Sequence, residues 1–261
     1  MRIQLYPENS NESNLSVSPY LDTFLLEGAG TPLGAVLVLP GGGYRLRAAH
    51  EGDPVAKVFN QMGFHAFTLQ YRVLPDQAPC AQKDAVRAMK IIRANAEKWR
   101  LDPNKIAILG FSAGGHLAAC TGLMHDQIDA GCGDEYDAVS ARPDAMILCY
   151  SVLSVLKTYT ERGIEFGKGS CYCDIEGKEI EPYTMINSNT PPAFIWHTAD
   201  DVTVPVWCSM RFAERMWEEG ISCELHVFPH APHGRGLGIS HQDIEDWPRE
   251  AGLFLKQHCG F

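Results

Sequence analysis

Continuous apolar runs alternate along the chain with amphipathic stretches, and this alternation predicts the secondary structure. Apolar runs typical of strands buried on both faces of a sheet occupy residues 34–40, 65–73, 105–111, 146–150, 193–198 and 223–228. Helical patterns mark residues 51–62, 81–100, 206–219 and 242–258. Residues 20–26 predict an early antiparallel strand, and the polar residues 8–19 predict a surface arm or loop. Alternating strands and helices favour an α/β fold with a doubly wound, mostly parallel sheet and helices on both faces.

Neither a Gly/Ser-rich or Pro-rich linker nor an internal repeat divides the 261 residues, so we expect one domain over residues 1–261. The longest irregular segment, residues 154–190, carries charges, glycines and the close pair Cys171 and Cys173. We interpret this segment as a candidate small lid insertion. A zinc site at the cysteine pair would need a second, matching pair, which the sequence lacks, so we expect no metal.

Composition and charge argue against two classes of partner, nucleic acids and anionic membranes. The net charge is −10 and there is no basic run, which argues against a nucleic-acid partner and against docking on anionic membranes. No apolar run approaches the ~20 residues of a membrane span, and the first residues lack the apolar core of a signal peptide. Nine cysteines without a repeated spacing predict free thiols and a cytoplasmic location. The sequence leaves the oligomeric state open.

The most informative stretch is an apolar strand that runs directly into a glycine-flanked serine. After residues 106–111, Gly110, Ser112 and Gly114 fill a G-x-S-x-G pattern, and a helix-forming Leu-Ala-Ala follows. This order is typical of a nucleophile elbow, in which a strained turn lifts the serine hydroxyl clear of the sheet. The N–H of Ala113 then faces the space above the serine at a helix N-terminus. The alternative is a glycine-rich turn with an N-capping serine.

A nucleophilic serine needs a base, and the base needs an acid that fixes its tautomer. Asp200 and Asp201 follow one of the last two predicted strands, and His230 and His233 follow the other. Open α/β sheets bind ligands at the carboxyl ends of their strands, so we expect these side chains to meet Ser112. We favour Asp201 and His233, which lie further into their loops. Asp200 is then a capping or turn carboxylate, and His230 a solvated loop histidine.

Two further stretches carry candidate site groups. The glycines of residues 41–43 follow a buried strand and form either a plain flexible turn or a set of backbone donors for an oxyanion. His197 lies inside a predicted strand, and we expect it to be a hydrogen-bonded core histidine. His116 falls on the helix after the elbow serine, where a packing or surface role is the simpler interpretation.

These motifs together resemble the α/β-hydrolase superfamily, and more narrowly its small bacterial xylan- or acetyl-esterase-like proteins related to the hormone-sensitive-lipase group. The resemblance covers roughly residues 34–258. Each motif is modestly specific, but their combination in this order is highly so. The motifs are Leu39-Pro40-Gly41-Gly42-Gly43-Tyr44, Glu51-Gly52-Asp53-Pro54-Val55-Ala56, Tyr71-Arg72-Val73, Gly110-Phe111-Ser112-Ala113-Gly114-Gly115-His116-Leu117-Ala118, Thr190-Pro191-Pro192-Ala193-Phe194, Asp200-Asp201 before Val204-Pro205, and Pro232-His233-Gly234.

The resemblance implies an α/β-hydrolase fold with a small cap or none. It implies Ser112 as nucleophile, His233 as general base and then acid, and Asp201 as the group that orients the imidazole. No cofactor is implied. The expected activity is carboxylic ester hydrolysis through an acyl-enzyme on the serine.

The resemblance also implies an oxyanion hole made of the N–H groups of Gly42, Gly43 and Ala113. One departure from the pattern is plain. Esterases and lipases of the related group carry a histidine where this chain has Pro40. The change leaves the glycine backbone available but removes one supporting hydrogen bond.

The expected substrate is a small ester with a short acyl group, chiefly acetyl, because no large cap is available to hold a fatty chain. Acetylated sugars or xylo-oligosaccharides fit the resemblance best. Tyr44, Trp207 and Trp196 are candidates for a sugar-stacking surface, with a place in the core as the alternative for each. Other functions left open are a prolyl-oligopeptidase-type serine peptidase, a feruloyl-type esterase, and a hydrolase-fold protein that binds a ligand without turning it over.

Overall fold

The computed structural model describes residues 1–7, 18–28 and 30–261, so most of the polar arm expected at 8–19 lies outside the described residues. The strands are β1 (Arg2–Gln4), β2 (Tyr20–Phe24), β3 (Leu33–Leu39), β4 (His65–Gln70), β5 (Leu101–Phe111), β6 (Ala145–Cys149), β7 (Ala193–Thr198) and β8 (Cys223–Phe228). The helices are α1 (Asp53–Gln61), α2 (Cys80–Ala94), α3 (Ala96–Trp99), α4 (Ser112–Met124), α5 (Val155–Thr158), α6 (Trp207–Glu218) and α7 (Trp247–His258).

The strands form one eight-stranded sheet in the order β1-β2-β4-β3-β5-β6-β7-β8. β1 pairs with β2 and β2 with β4 in antiparallel fashion, whereas every pair from β4 through β8 is parallel. The predicted doubly wound, mostly parallel sheet is therefore confirmed. Because β5, β7 and β8 are parallel, the segments that follow them emerge at the same edge of the sheet.

Apolar side chains cover both faces of the sheet. One face is packed by α2, α4 and α6, through residues such as Ala85, Leu117 and Phe212. The other face is packed by α1 and α7, through residues such as Phe59 and Trp247. Both faces of the central strands are therefore buried, which explains why these strands are uninterrupted apolar runs. Among the helices of the described residues, none combines the length and apolar character needed to cross a bilayer.

The structure differs from the sequence prediction mainly at element ends. The helix expected over 81–100 is two helices, because Asn95 leaves the helical path and its side chain bonds the carbonyl of Ile91. Strand β5 begins at Leu101 rather than at residue 105, with an irregularity near its start in the pairing with β3. The closing helix starts at Trp247 rather than at residue 242, and Pro248 lies in its first turn. The short strand β1 was not predicted.

Candidate active site

Ser112 lies at the junction of β5 and α4 with φ +51°, a left-handed conformation that is strained for a residue with a side chain. The tight turn depends on its glycines. A Cβ on Gly110 would collide with the carbonyl of Gly114, and a Cβ on Gly114 would collide with the carbonyl of Leu39. The N–H of Ala113 belongs to the first turn of α4, where N–H groups have no acceptor within the helix. The sequence therefore builds a strained serine beside a free backbone donor.

The loops after β7 and β8 bring an acid and an imidazole to this serine. His233 Nε2 lies 2.9 Å from Ser112 Oγ, and His233 Nδ1 lies 2.6 Å from Asp201 Oδ2. The Asp201 side chain is fully buried, and the His233 side chain is mostly buried. Three residues that are far apart in the sequence thus form one hydrogen-bonded chain at the carboxyl edge of the sheet.

Asp201 is held as an ionised acceptor. Oδ1 accepts the N–H groups of Thr203 at 2.8 Å and Val204 at 2.9 Å, while Oδ2 accepts from His233 and lies 3.3 Å from Nε2 of His197. Burial alone would raise the pKa of Asp201, but the hydrogen bonds from His197 and His233 outweigh it and hold the pKa well below the usual range. A permanently ionised carboxylate keeps the proton of the imidazole on Nδ1, which leaves Nε2 free to accept from the serine.

The two neighbouring candidates form a separate, exposed pair. His230 Nδ1 lies 3.2 Å from Asp200 Oδ2, and Asp200 also accepts the N–H of Ala231 at 3.2 Å. The backbone hydrogen bond from Ala231 lowers the pKa of Asp200. Neither side chain is hydrogen-bonded to Ser112, so this pair is separate from the chain of Ser112, His233 and Asp201.

His197 is the buried, hydrogen-bonded histidine expected from its place in β7. Its Nε2 lies 2.9 Å from the carbonyl of Val204, which can only accept, so Nε2 carries the proton. Its Nδ1 then accepts from the hydroxyl of Ser209 at 2.8 Å. The same Nε2–H also faces Asp201, a contact that the sequence interpretation missed. The available signal was a histidine four residues before an acid at the end of a strand.

The glycine loop after β3 offers two free backbone donors. The N–H of Gly41 is taken by Glu51 Oε2 at 2.8 Å, whereas the N–H groups of Gly42 and Gly43 have no acceptor among the described residues. Gly42 has φ +133° and Gly43 has φ +63°, and the carbonyl of Leu46 leaves no room for a Cβ on Gly42. These are the donors that an oxyanion hole at this place would use, together with the helix N–H beside the serine.

Pro40, where the resemblance leads us to expect a histidine, is held by a hydrogen bond from another side chain. The hydroxyl of Tyr71 donates to the carbonyl of Pro40 at 2.6 Å, and both groups are buried. Burial raises the pKa of Tyr71 above its usual value, so this hydroxyl stays a donor. The start of the glycine loop is therefore anchored by the residue that directly follows β4, without a histidine.

Comparison with known proteins places the chain. The BD-FAE family model matches residues 21–216. The chain belongs to the BD-FAE family. It is 35% identical to an endo-1,4-beta-xylanase B of Butyrivibrio fibrisolvens, over 76% of this chain and 32% of that protein. It is 30% identical to an acetylxylan esterase of Xylanibacter ruminicola, over 85% of this chain and 45% of that protein. The chain thus spans between a third and a half of the length of these relatives.

Among solved structures, an acetyl ester-xyloside bifunctional hydrolase from Caldicellulosiruptor lactoaceticus matches with a TM-score of 0.87 at 35% identity. The match covers 98% of this chain and 95% of that chain. Together with the BD-FAE match, it confirms the α/β-hydrolase fold and the resemblance to small bacterial esterases.

Two of the three aromatic candidates for sugar stacking are core residues in this BD-FAE member. Tyr44 is buried and its hydroxyl lies 2.8 Å from Nδ1 of His116, while Trp196 is buried and stacks on Trp247. Neither ring has a face open to a sugar, so we correct this expectation for Tyr44 and Trp196. Burial lowers the pKa of His116 to about 4, which keeps this packing histidine neutral. Trp207 is 39% exposed and stays a candidate.

The insertion between β6 and β7 contains α5 and short turns. Arg162 donates from this segment to the carbonyls of Val202 at 2.6 Å and Thr203 at 3.0 Å, the two residues after Asp201. Cys171 and Cys173 are buried free thiols. The segment is therefore hydrogen-bonded to the loop that carries Asp201.

Within the described residues, one group of side chains has donor atoms close enough for a metal ion, namely Cys132, Asp134 and Asp137. The guanidinium of Arg87 bonds both carboxylates and supplies the positive charge. Burial raises the pKa of Cys132 to about 11. We therefore interpret these three side chains as part of an ion-pair cluster around Arg87.

The shared Nε2–H of His197 leads to a prediction. In His197→Asn, the side-chain amide can take the place of Nδ1 toward Ser209 but is too short to reach Val204 and Asp201. In His197→Gln, the longer side chain places its amide near the position of Nε2. We expect the Asn variant to lower kcat for p-nitrophenyl acetate about 10-fold, the equivalent of one weak bond to a charged group. The Gln variant should keep most of the activity. Equal kcat values in the two variants, measured at equal folded fraction, would contradict a role of this contact.

Proposed function

We propose that the chain is a serine carboxylesterase that removes short acyl groups, chiefly acetyl, from acetylated sugars or xylo-oligosaccharides. The observation that carries the proposal is the continuous hydrogen-bonded arrangement of Ser112, His233 and Asp201 beside unoccupied backbone donors. A nucleophile, a base in one fixed tautomer and an anion site are the parts that acyl transfer requires. A protein that only binds its ligand has no need for this combination.

The reaction proceeds by two acyl transfers. Ser112 Oγ attacks the ester carbonyl while His233 Nε2 takes its proton, and the oxyanion accepts hydrogen bonds from Gly42, Gly43 and Ala113. The tetrahedral intermediate collapses, and the alcohol leaves with the proton from His233. Water then attacks the acyl-enzyme with its proton passing to His233, and the acid is released as the serine regains its proton.

Several features support a short acyl group. The insertion between β6 and β7 supplies only one short helix and turns within the described residues, not a helical cap able to cover a long chain. Leu46 is 57% exposed and packs against Gly42, so a small apolar surface lies beside the proposed oxyanion donors. Two relatives, an acetylxylan esterase and an acetyl ester-xyloside hydrolase, support acetyl as the acyl group and a xylose-based sugar as the alcohol of the substrate.

The short-acyl proposal predicts a steep dependence on chain length. We expect kcat/KM for p-nitrophenyl acetate to exceed that for the octanoate at least ~10-fold, because a pocket that fits an acetyl group rejects extra methylenes at a steric cost of about 1–3 kcal/mol. Initial rates at matched, sub-micellar concentrations measure the ratio. Equal or faster turnover of the octanoate would overturn the small-acyl assignment while leaving the esterase assignment intact.

The physiological ester is tested by a panel of acetylated xylo-oligosaccharides, feruloyl esters and peptide amides, with the Ser112→Ala variant as the blank. We expect acetate release from the oligosaccharides and slow or absent cleavage of the other two classes. A fluorophosphonate should label Ser112, identified by mass spectrometry of the peptide. An unlabelled serine in a folded protein would favour the binding-protein alternative.

A further inference from the structure

Glu51 is a buried carboxylate close to the proposed site that the mechanism does not use. It is 2% exposed, and among the ion pairs of the described residues its only basic partner is the exposed side chain of His50, whose Nε2 lies 3.8 Å from Oε1. Its hydrogen bonds come instead from neutral donors. Burying a carboxylate with such partners is costly, and an apolar side chain of similar size would avoid that cost. Its presence therefore calls for a function beyond packing.

The donors to this carboxylate come from distant parts of the chain. Oε2 accepts the N–H of Gly41 at 2.8 Å, and Oε1 accepts the hydroxyl of Tyr150 at 2.6 Å. The same hydroxyl accepts the N–H of Gly236 at 2.8 Å, three residues beyond His233. One carboxylate thus connects the glycine loop, the end of β6 and the loop that carries the proposed base.

The contacts on each side of this network reach the reacting groups. Gly41 lies between the carboxylate and the nucleophile, since a Cβ built on it would be 2.7 Å from Glu51 Oε2 and 3.1 Å from Ser112 Cβ. The ring of Tyr150 contacts the ring of His233, with centroids 4.9 Å apart and an angle of 64° between the planes. The network therefore touches both the oxyanion loop and the imidazole.

The direction of each hydrogen bond in the network, donor to acceptor, is fixed. Burial and the charge of Glu51 raise the pKa of Tyr150 well above its usual value, so the hydroxyl remains a donor to the carboxylate. Because the N–H of Gly41 is committed to Glu51, the peptide groups of Gly42 and Gly43 are left to present their N–H groups to an oxyanion. A neutral or apolar side chain at 51 would release this constraint.

We infer that Glu51 and Tyr150 are positioning residues that align the oxyanion donors and the imidazole at the same time, through one buried carboxylate. The inference rests on the proposed function, since it assigns a role within that reaction. It predicts that losing the network weakens binding of the transition state rather than of the substrate.

The test compares Glu51→Leu, Glu51→Gln and Tyr150→Phe. The Leu variant leaves two buried donors without an acceptor, and we expect kcat for p-nitrophenyl acetate to fall about 100-fold with KM changed less than ~3-fold, as when one oxyanion donor is lost. Tyr150→Phe keeps the ring on His233 and should lose about 10-fold. The Gln variant keeps an oxygen for Gly41 and an amide for Tyr150, so it should recover to within about 10-fold of wild type.

Two readouts separate positioning from general destabilisation. A methyl trifluoromethyl ketone adds to Ser112 as a hemiketal, and its affinity should fall in parallel with kcat/KM. The matched control is Asp144→Leu, which removes a carboxylate that bonds the N–H of Ile106 at the opposite edge of the sheet. This control should lower thermal stability and leave kcat per active site unchanged. Active sites are counted by fluorophosphonate labelling to completion.

Wild-type kcat and unchanged ketone affinity in both Tyr150→Phe and Glu51→Leu would overturn the inference. A loss of thermal stability in these variants, with kcat per labelled site intact, would overturn it as well. An inactive and unlabelled wild type would instead contradict the proposed function, and the inference with it.

Discussion

Replacing Ser112 by alanine is expected to lower kcat for p-nitrophenyl acetate by roughly 10⁵-fold. Among the described residues, Ser112 Oγ is the one atom within hydrogen-bond distance of His233 Nε2 that can form an acyl-enzyme. Without it, only the oxyanion donors and substrate binding remain to assist attack by water. Steady-state rates measure the loss, and the fluorophosphonate adduct should disappear. The fold should survive, because alanine at this position deletes a single hydroxyl.

Ser151 supplies a matched control for this variant. It is a buried serine whose hydroxyl bonds the carbonyl of Cys149 at 3.3 Å, close to the elbow but without contact to the imidazole. We expect Ser151→Ala to keep kcat within about 3-fold of wild type. Residual activity above one part in ~10² in the Ser112→Ala variant, with the control active, would rule out an acyl-enzyme on this serine.

Asp201→Asn is expected to lower kcat about 10⁴-fold while leaving the backbone in place. The amide oxygen can still accept the N–H groups of Thr203 and Val204, which turns the amide nitrogen toward His233 Nδ1. A donor at that place forces the imidazole proton onto Nε2, and the base can no longer accept from the serine. Asp200→Asn is the control. Because that carboxylate belongs to the exposed pair, the control should retain wild-type kcat.

The same substitution has a predicted effect on stability that depends on pH. The folded-state pKa of Asp201 is depressed, so its ionised form stabilises the fold above the unfolded value of about 3.9, and the contribution declines as pH falls below it. Asparagine does not titrate in this range. The difference in free energy of unfolding between wild type and Asp201→Asn should therefore shrink from pH 6 to pH 3, as measured by urea denaturation. A constant difference would show that this carboxylate does not gain stability from ionisation.

The strands, and the meeting of Ser112, Asp201 and His233 at one edge of the sheet, could be predicted from the sequence because both depend on local patterns. The strands over 193–198 and 223–228 have the predicted bounds, since apolar β-branched and aromatic runs between polar loops have one common structure. The acid and the base follow those strands directly, and parallel strands share their carboxyl edge. Ser112 was marked by the glycines that its turn requires.

The supporting groups were missed because their partners are remote in sequence. Glu51 and Tyr150 are 99 positions apart, and no periodicity indicates that a glutamate in a predicted helix start will be buried against a tyrosine after a strand. The aromatic residues show the opposite case, in which the chemistry of the side chain is evident from the sequence but its location is not. Tyr44 and Trp196 have the chemistry of a sugar platform, but the same rings fill a core equally well, and only the packing decides between the two.

Arg162 has a consequence for any attempt to change the substrate range by exchanging the insertion after β6. Its guanidinium holds the two carbonyls that directly follow Asp201, so an exchanged segment without an arginine there would release the peptide on which the acid is mounted. Exchanging the insertion would thus also change the support of the loop that carries Asp201. A chimera that keeps its kcat has to take the insertion and residues 202–203 from the same donor protein.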